Sequence, residues 1–463
     1  MLTDITFLVK KNSYPGFFGF SEKNSVLAKL LYNAALFRIR QTFTGWDKDA
    51  RTDNEQEVFD EIAVAQKACT SMKVRRVLSY KALDRIMRAN SNPDFFAGLP
   101  MQTAQAVLKQ AVHDFRVWLN QLKDYRKHPS KYTGKPGMPK YKKSDRDTFI
   151  VTNQDAVLYP VTDKNGAVID GQKRLKLPGV KKNNHPILHG FTNNGVLKEM
   201  TIKPYYGHYM VSLVMETPDA AVSSCGSEMA GLDFGTDNIA ALACTDGSSV
   251  VFKGGAVLSE NRWFAKKKAD AVSDITKGHK RMHAESAYLD RLSLHHSFRN
   301  RNFMHQCSRR IIDWCTDHKV SVLVIGRNKG WKQKTNMGKA SNQKFVSVPH
   351  YQLLQLIEYK AALAGIQIIE QEESYTSRAD ISAMDHIPVY GSRECRNAVA
   401  FSGYRVKRGL YRTHEGYVIN ADCNGAANIL RKSIPDAWKG RTDFRFLGFP
   451  KSISCKKIIG AAS

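Results

Sequence analysis

The chain has 463 residues, 42% of them hydrophobic, enough to bury a sizeable core and, on length alone, to form two to four domains. Its 70 Lys and Arg against 43 Asp and Glu leave a formal charge of +27 at pH 7 and an isoelectric point near 9.7. Such an excess repels itself in a compact state and points to a polyanion, nucleic acid first, with a ribosomal or membrane-surface protein as the plainer alternative.

In chain order, Asp4–Lys10 (DITFLVK) reads as a strand. From about Glu22 to Lys127 the pattern turns helical: Asn24–Phe43 and Met101–Tyr125 repeat apolar residues at spacings of three and four. Arg88–Pro100 is a loop by its Asn, Pro and Gly content. Arg75, Arg76, Lys81, Arg85 and Arg88 decorate the middle helices, either as a solvated face or as nucleic-acid contacts. Arg126–Asp147 carries many cations with three prolines and two glycines, so an extended, mobile connection is expected. There Lys131, Tyr132, Lys135, Lys140, Tyr141 and Lys142 suit a phosphate backbone with bases stacking on the rings, a plain linker being the alternative.

Short alternating segments follow, Thr148–Pro160, Lys173–Val180 and Val196–Thr217, which read as antiparallel strands of a small barrel. The N-terminal strand is expected to join them, making the helical region an insertion. Met229–Gly255 then gives three strands punctuated by turn dipeptides, and Leu258–His318 one long charged helical stretch. The buried strand Val320–Ile325 stops at Gly326; a basic loop, the helix His350–Gly365 and the strand Ile366–Glu370 complete the order of an α/β sheet.

Asp233 sits at the centre of a buried strand in GLDFGTDN, where a carboxylate is costly unless it is paired or binds a metal. Asp422, in INADCNGAANIL, opens a helix whose Gly425, Ala426 and Ala427 allow close packing; alone it reads as an N-cap. Taken together, an acid on the first strand of a hairpin and a second on a late helix are the layout of RNase H-like nucleases. Hydrolysis of a phosphodiester by two divalent cations needs such converging carboxylates. The eight cysteines include no CxxC pair, which argues against a disulfide framework and against a Cys-rich zinc site. The N-terminal apolar run is too short for a signal peptide, and no stretch approaches the roughly 20 apolar residues of a membrane span. A cytoplasmic protein, nucleoid-associated in a prokaryote and with no membrane partner, is expected; the oligomeric state is not readable.

GLDFG, VLVIGRNKGWKQ, QEESYTS, YRVKRGLYR and INADCNGAANIL, in this order and spacing, resemble the RuvC-type nuclease half of the transposon-encoded TnpB (OrfB) proteins, relatives of type V CRISPR effectors. KYTGKPGMPKYKK and TNQDA resemble their barrel region. The resemblance is strong from Gly231 to Leu430 and weak before Lys127. It implies an RNA-guided DNA endonuclease with a guide RNA and target DNA as partners, Mg²⁺ (two ions) as cofactor, and a RuvC-like RNase H fold beside an all-β barrel and a helical lobe. The rival is a nuclease-inactive RNA-guided DNA-binding regulator; a third class is a protein-only transposase.

Two departures from the family pattern matter. The second acid commonly follows the strand that corresponds to VLVI, where this chain has Gly326. The neighbouring strand carries Glu370, Glu372 and Glu373, so the acid is expected to have moved there, with Glu372 the first choice and Glu373 the second. Asp233, one of these glutamates and Asp422 would then be the catalytic and metal-binding set. Family members also commonly carry two CxxC pairs after YTS; here only Cys395 and Cys423, with His386 and His414, are present without ligand spacing, so no zinc is expected. Arg405, Lys407 and Arg408 in YRVKRGLYR, with Arg327, Lys329, Trp331 and Lys332 in the basic loop, are expected nucleic-acid contacts, Trp331 equally fitting a core anchor.

The expected domains are a wedge-like β-barrel from 1–20 and 128–225, with a helical recognition lobe at 21–127 inserted in it. A RuvC-like nuclease domain follows from 226–374 and 411–440. A target-nucleic-acid-binding insertion occupies 375–410, and 441–463 is a basic C-terminal tail.

Overall fold

In the computed structural model the described residues are 2–191, 195–217, 226–277, 285–327, 347–389 and 400–455. They fall into two compact units, Met1–Asp219 and Ala220–Ser463.

The first unit opens with β1 (Leu2–Val9), continues through four helices, and ends in six strands. The helices are α1 (Pro15–Gly45), α2 (Asp53–Ala68), α3 (Tyr80–Ala89) and α4 (Met101–Lys127). Buried Ala28, Leu31, Ala35, Leu36 and Ile39 give α1 one apolar face at helical spacing. Phe43 at its far end meets Phe115 and Trp118 of α4 edge-on, with centroids 5.3 and 5.7 Å away. A capping box starts α2: Thr52 Oγ1 accepts from Glu55 N, and Glu55 Oε2 accepts from Thr52 N.

The strands are β2 (Phe149–Thr152), β3 (Val157–Thr162), β4 (Val168–Lys176), β5 (Ile187–His189), β6 (Val196–Tyr205) and β7 (His208–Glu216). β1 pairs antiparallel with β7 from Leu2 opposite Glu216 to Val9 opposite Tyr209, so α1–α4 interrupt a sheet in the chain. Where the sequence reads as one small barrel, the described strands form a four-stranded sheet, β1-β7-β6-β2, and a three-stranded sheet, β3-β4-β5.

The proline-rich connection after α4, expected to be extended, is hydrogen-bonded to α1 and α4 at several points. Asn33 holds Lys142 twice, Nδ2 donating to its carbonyl at 3.1 Å and Oδ1 accepting from its N–H at 2.8 Å. Trp118 Nε1 donates to Pro136 O at 3.1 Å, and Asp147 N donates to Ser25 O at 3.0 Å. One of these bonds falls on a proline carbonyl, and the others hold the backbone of Lys142 and Asp147.

The second unit is built on a six-stranded sheet in the order β12-β11-β8-β9-β10-β16. Its central hairpin is β8 (Glu228–Phe234) and β9 (Asn238–Cys244), continued antiparallel by β10 (Ser249–Lys253). On the other side β11 (Val320–Gly326) runs parallel to β8, and β12 (Gln367–Gln371) parallel to β11. An antiparallel trio is thus extended on the β8 side by a parallel pair.

Between β10 and β11, the single helical stretch expected from the sequence is two helices. α5 (Gly255–Thr276) ends at Lys277, in the left-handed region at φ 46°, and α6 (Ala287–Asp317) starts afresh on Ser286, whose Oγ accepts from Leu289 N. α7 (His350–Ala364) bridges β11 and β12.

The alternation of the strands separates two cores. Ala230, Leu232 and Phe234 face a cluster with Ile311, Cys315 and Leu353, on the side of α6 and α7. Ala241, Ala243 and Val324 face Ala426, Ala427, Ile429 and Leu430 of α8 (Ala421–Ser433). Before α8 lies a small antiparallel sheet of β13 (Tyr404–Lys407), β14 (Leu410–Arg412) and β15 (Val418–Asn420).

The expected basic tail is different in kind. Phe444 and Leu447 are buried in the α8 core, and β16 (Lys451–Ser454) adds itself parallel to β10, Phe252 opposite Ile453. The apolar residues in this stretch outweigh its charges. Among the described residues, no helix is long and apolar enough to cross a membrane.

Candidate active site

Asp233 lies on the face of β8 opposite Leu232 and Phe234, and therefore points to the side on which α8 packs. Two glycines make that packing possible. A Cβ on Gly231 would stand 2.0 Å from Ala426 O, and a Cβ on Gly425 would stand 2.7 Å from Asp233 Oδ2. The helix therefore rests on the strand backbone, with its own backbone against the Asp233 carboxylate.

Asp422 is not the cap of α8. Asn420 is, its Oδ1 accepting from Asp422 N at 3.0 Å and Cys423 N at 3.1 Å. The Asp422 carboxylate instead accepts, at 2.7 Å through Oδ2, from Asn238 Nδ2 at the start of β9. Lys253 Nζ donates to Asn238 Oδ1 at 3.0 Å, which fixes the amide so that its NH₂ faces Asp422. Sequence reasoning missed Asn238; its only signal is its place at the hairpin turn five residues beyond Asp233.

The glutamates separate sharply. Strand β12 ends at Gln371, opposite Gly326, so the alternation that would place Glu370 and Glu372 on one face stops before Glu372. Glu370 pairs with Arg327 at 2.5 Å. Glu372 turns to Lys432 near the end of α8, at 2.6 Å, and also accepts from Ser374 N; these bonds hold its carboxyl below the usual range against the opposing effect of burial. Glu373 points into the notch at the end of β11. A Cβ placed on Gly326 would stand 2.7 Å from Glu373 Oε2 and 2.5 Å from Ile429 Cδ1. The space that a side chain at 326 would need is filled by the Glu373 carboxyl.

Electrostatically, Asp233, Glu373 and Asp422 form one group. Burial pushes the Asp233 carboxyl well up, and the charges of Glu373 and then Asp422 push it further, with Arg405 opposing. Burial, and then Glu372, raise Glu373 to about 7, Lys432 opposing. The donor set is three carboxylates, hard oxygen ligands of the kind Mg²⁺ takes. Among the described residues, no three His, Cys, Asp or Glu side chains are gathered closely enough to form a metal cluster as they stand.

The other expected contacts are distributed as follows. Arg405 and Lys407 lie on the exposed strand β13, and Arg408 reaches back to Asp237 at 3.0 Å and to Thr236 Oγ1 at 3.1 Å, just beyond Asp233's strand. Lys131 and Tyr132 both engage Asp124, at 3.6 and 2.8 Å. Lys142 pairs with Asp147 at 3.3 Å, and Arg40 stacks on Tyr141 at 4.9 Å. Lys135 and Lys140 are exposed. Lys329, Trp331, Lys332 and Cys395 lie outside the described residues. Cys423 is buried in α8.

A family model described as a probable transposase (OrfB_IS605) matches residues 212–332, and a Cas12f1-like TNB domain model matches 350–429. A TnpB-like protein, ORF457, of Acidianus two-tailed virus is 24% identical over 369 residues, covering 72% of each chain. A CRISPR-associated endodeoxyribonuclease, Cas12f2, of Micrarchaeota archaeon (strain CG1_02_47_40) is 29% identical over 132 residues, 28% of this chain and 23% of that one. Among solved structures, the chain is similar to the protein in a Cas12f1–sgRNA–target DNA complex, with a TM-score of 0.52 and 15% identity over 90% of this chain and 84% of that one.

The fold is therefore that of a multidomain α/β protein similar to the Cas12 nucleases. The acids on its central strand and late helix lie inside the two matched segments. The two matched segments and these relatives support a TnpB (OrfB) family member related to the type V CRISPR effectors.

Proposed function

We propose that the protein is an RNA-guided DNA endonuclease whose RuvC-like site is formed by Asp233, Glu373 and Asp422, the second acid having moved from the end of β11 to the loop after β12. The observation that carries this reading is the Glu373 carboxyl standing 2.7 Å from where a Cβ on Gly326 would be. The glycine and the relocated acid are two halves of one substitution in space. The guide RNA and target DNA named for the Cas12f1 complex are the partners this reading assigns, with the charge of +27 serving both.

Mg²⁺ held by the three carboxylates would supply an activated water and stabilisation of the leaving oxygen. The chain's own contributions are positional. Gly231 and Gly425 let α8 approach until Asp422 and Asp233 face one region. Asn238, locked by Lys253, orients the Asp422 carboxylate. Arg405, whose charge reaches Asp233, and Arg408 on the same hairpin would bring the phosphodiester to the acids.

The test is plasmid cleavage in Mg²⁺ by the protein purified with its co-expressed RNA. Asp233→Ala, Glu373→Gln and Asp422→Ala should each abolish cutting while target binding persists. Cutting that survives Glu373→Gln but not Glu372→Gln would reassign the second acid. A parent that binds its target and never cuts would establish the regulator instead.

A further inference from the structure

Lys432 is an almost enclosed cation near the site, with 6% of its side chain exposed. It sits ten residues after Asp422 on α8, about 15 Å along the helix axis. Its Nζ makes three bonds: to Glu372 Oε2 at 2.6 Å, to Ser374 O at 3.0 Å and to Pro388 O at 3.1 Å. An ammonium has three protons to donate, and all three are used on the segment that leaves β12. The rest of that segment is bound to the same helix. Asn424 Nδ2 donates to Ala379 O at 2.8 Å, Asn428 Nδ2 to Thr376 O at 3.0 Å and to Ala379 O at 2.8 Å, and Arg431 Nη2 to Asp385 O at 2.6 Å. Helix α8 thus carries one acid of the proposed site and clamps the loop that carries another.

Glu372 and Glu373 are adjacent, and one backbone turn decides which of them faces the sheet. With Lys432 gripping Glu372 on one side and the carbonyl of Ser374 on the other, the residue between them is set facing Gly326. Resting on the reading of Asp233, Glu373 and Asp422 as one site, we propose that Lys432 is a positioning residue, fixing Glu373 toward Gly326 and Asp233 by holding Glu372 and the carbonyls of Ser374 and Pro388. It touches no reacting atom. Its role also explains why the neighbouring glutamate is present: Glu372 is the handle by which the loop is held.

The test compares Lys432→Met, Lys432→Arg and Glu372→Gln in the protein purified with its RNA. Mn²⁺ binding is followed by electron paramagnetic resonance above the background of an Asp233→Ala/Asp422→Ala protein. Thermal melting and target-DNA affinity serve as controls for folding. Loss of an outer partner of a metal ligand typically weakens metal binding about 10- to 100-fold. Lys432→Met should fall in that range, Lys432→Arg should recover most of the loss, and Glu372→Gln should lie between Lys432→Met and the parent. Lys432→Met binding Mn²⁺ like the parent overturns the proposal, as does Lys432→Arg performing no better than Lys432→Met. Should Lys432→Met fail to fold, Glu372→Gln decides: parental Mn²⁺ binding refutes the clamp. Glu373→Gln separates the two levels. If it loses Mn²⁺ and the Lys432 and Glu372 variants do not, only the clamp fails; if it binds Mn²⁺ normally, the site assignment beneath it fails.

Discussion

Glu373→Gln should have opposite effects on activity and on the stability of the metal-free protein. Burial raises the Glu373 carboxyl from 4.5 to about 7, with Glu372 adding to the rise. The folded state thus holds a proton that the unfolded chain has already released, and stability falls as pH rises from about 4.5 to about 7. The span of roughly 2.5 units corresponds to about 3 kcal/mol at most, less in proportion to the water that reaches this partly exposed carboxyl. Glutamine cannot ionise and escapes that loss. It also removes a charge that pushes the Asp233 carboxyl up, which eases the same region further.

The assay is denaturant or thermal unfolding of the chelator-treated protein across pH 5 to 8. Parent and variant should be close at pH 5, and the variant should be the more stable by about 1–3 kcal/mol at pH 8. With Mg²⁺ present, the parent alone should regain stability. A difference that does not grow with pH, or that grows in the other direction, would refute the reasoning.

Gly326→Ala drives a Cβ against Glu373 Oε2 and Ile429 Cδ1 and should cost about 1–3 kcal/mol in unfolding experiments while depressing cleavage. Gly326→Glu should be rescued by adding Glu373→Ala, since the two side chains claim one space; plasmid cleavage by the double variant above that of either single one is the expected result. Asn238→Ala leaves the Asp422 carboxylate without its donor and should raise the half-saturating Mg²⁺ about 10-fold in cleavage titrations. Arg408→Ala removes an exposed ion pair with Asp237, so its unfolding free energy should change by under about 1 kcal/mol. The same variant should weaken DNA binding and lower the slope of log affinity against log salt by about 0.9.

The frame of the candidate site was readable because its signals are chemically extreme. Asp233 is an acid in a strand of Ala, Leu and Phe, and the run Gly425-Ala426-Ala427 announces a helix lying close against something. Choosing between Glu372 and Glu373 was not possible from alternation, since β12 ends at Gln371 and the pleat no longer governs the residues beyond it. Asn238 and Lys432 escaped notice because a lone amide at a turn and a lysine near a helix end are usually solvated; their roles exist only once β9 and the loop after β12 are placed beside α8. The prolines of the connection after α4 describe the local backbone and not the helices to which it is hydrogen-bonded. In the last stretch, net charge hid three buried or half-buried aromatic and aliphatic residues, Phe444, Phe446 and Leu447.

Strand β16 lies beside β10, although about two hundred residues separate them in the sequence. During synthesis, β10 emerges long before the segment that covers it, and its Val250, Val251 and Phe252 border an unpaired row of backbone donors and acceptors until then. Such an edge is the template on which a second nascent chain could pair. Removing residues 441–455 would make the open edge permanent, with insolubility as the first symptom, before any question of catalysis arises.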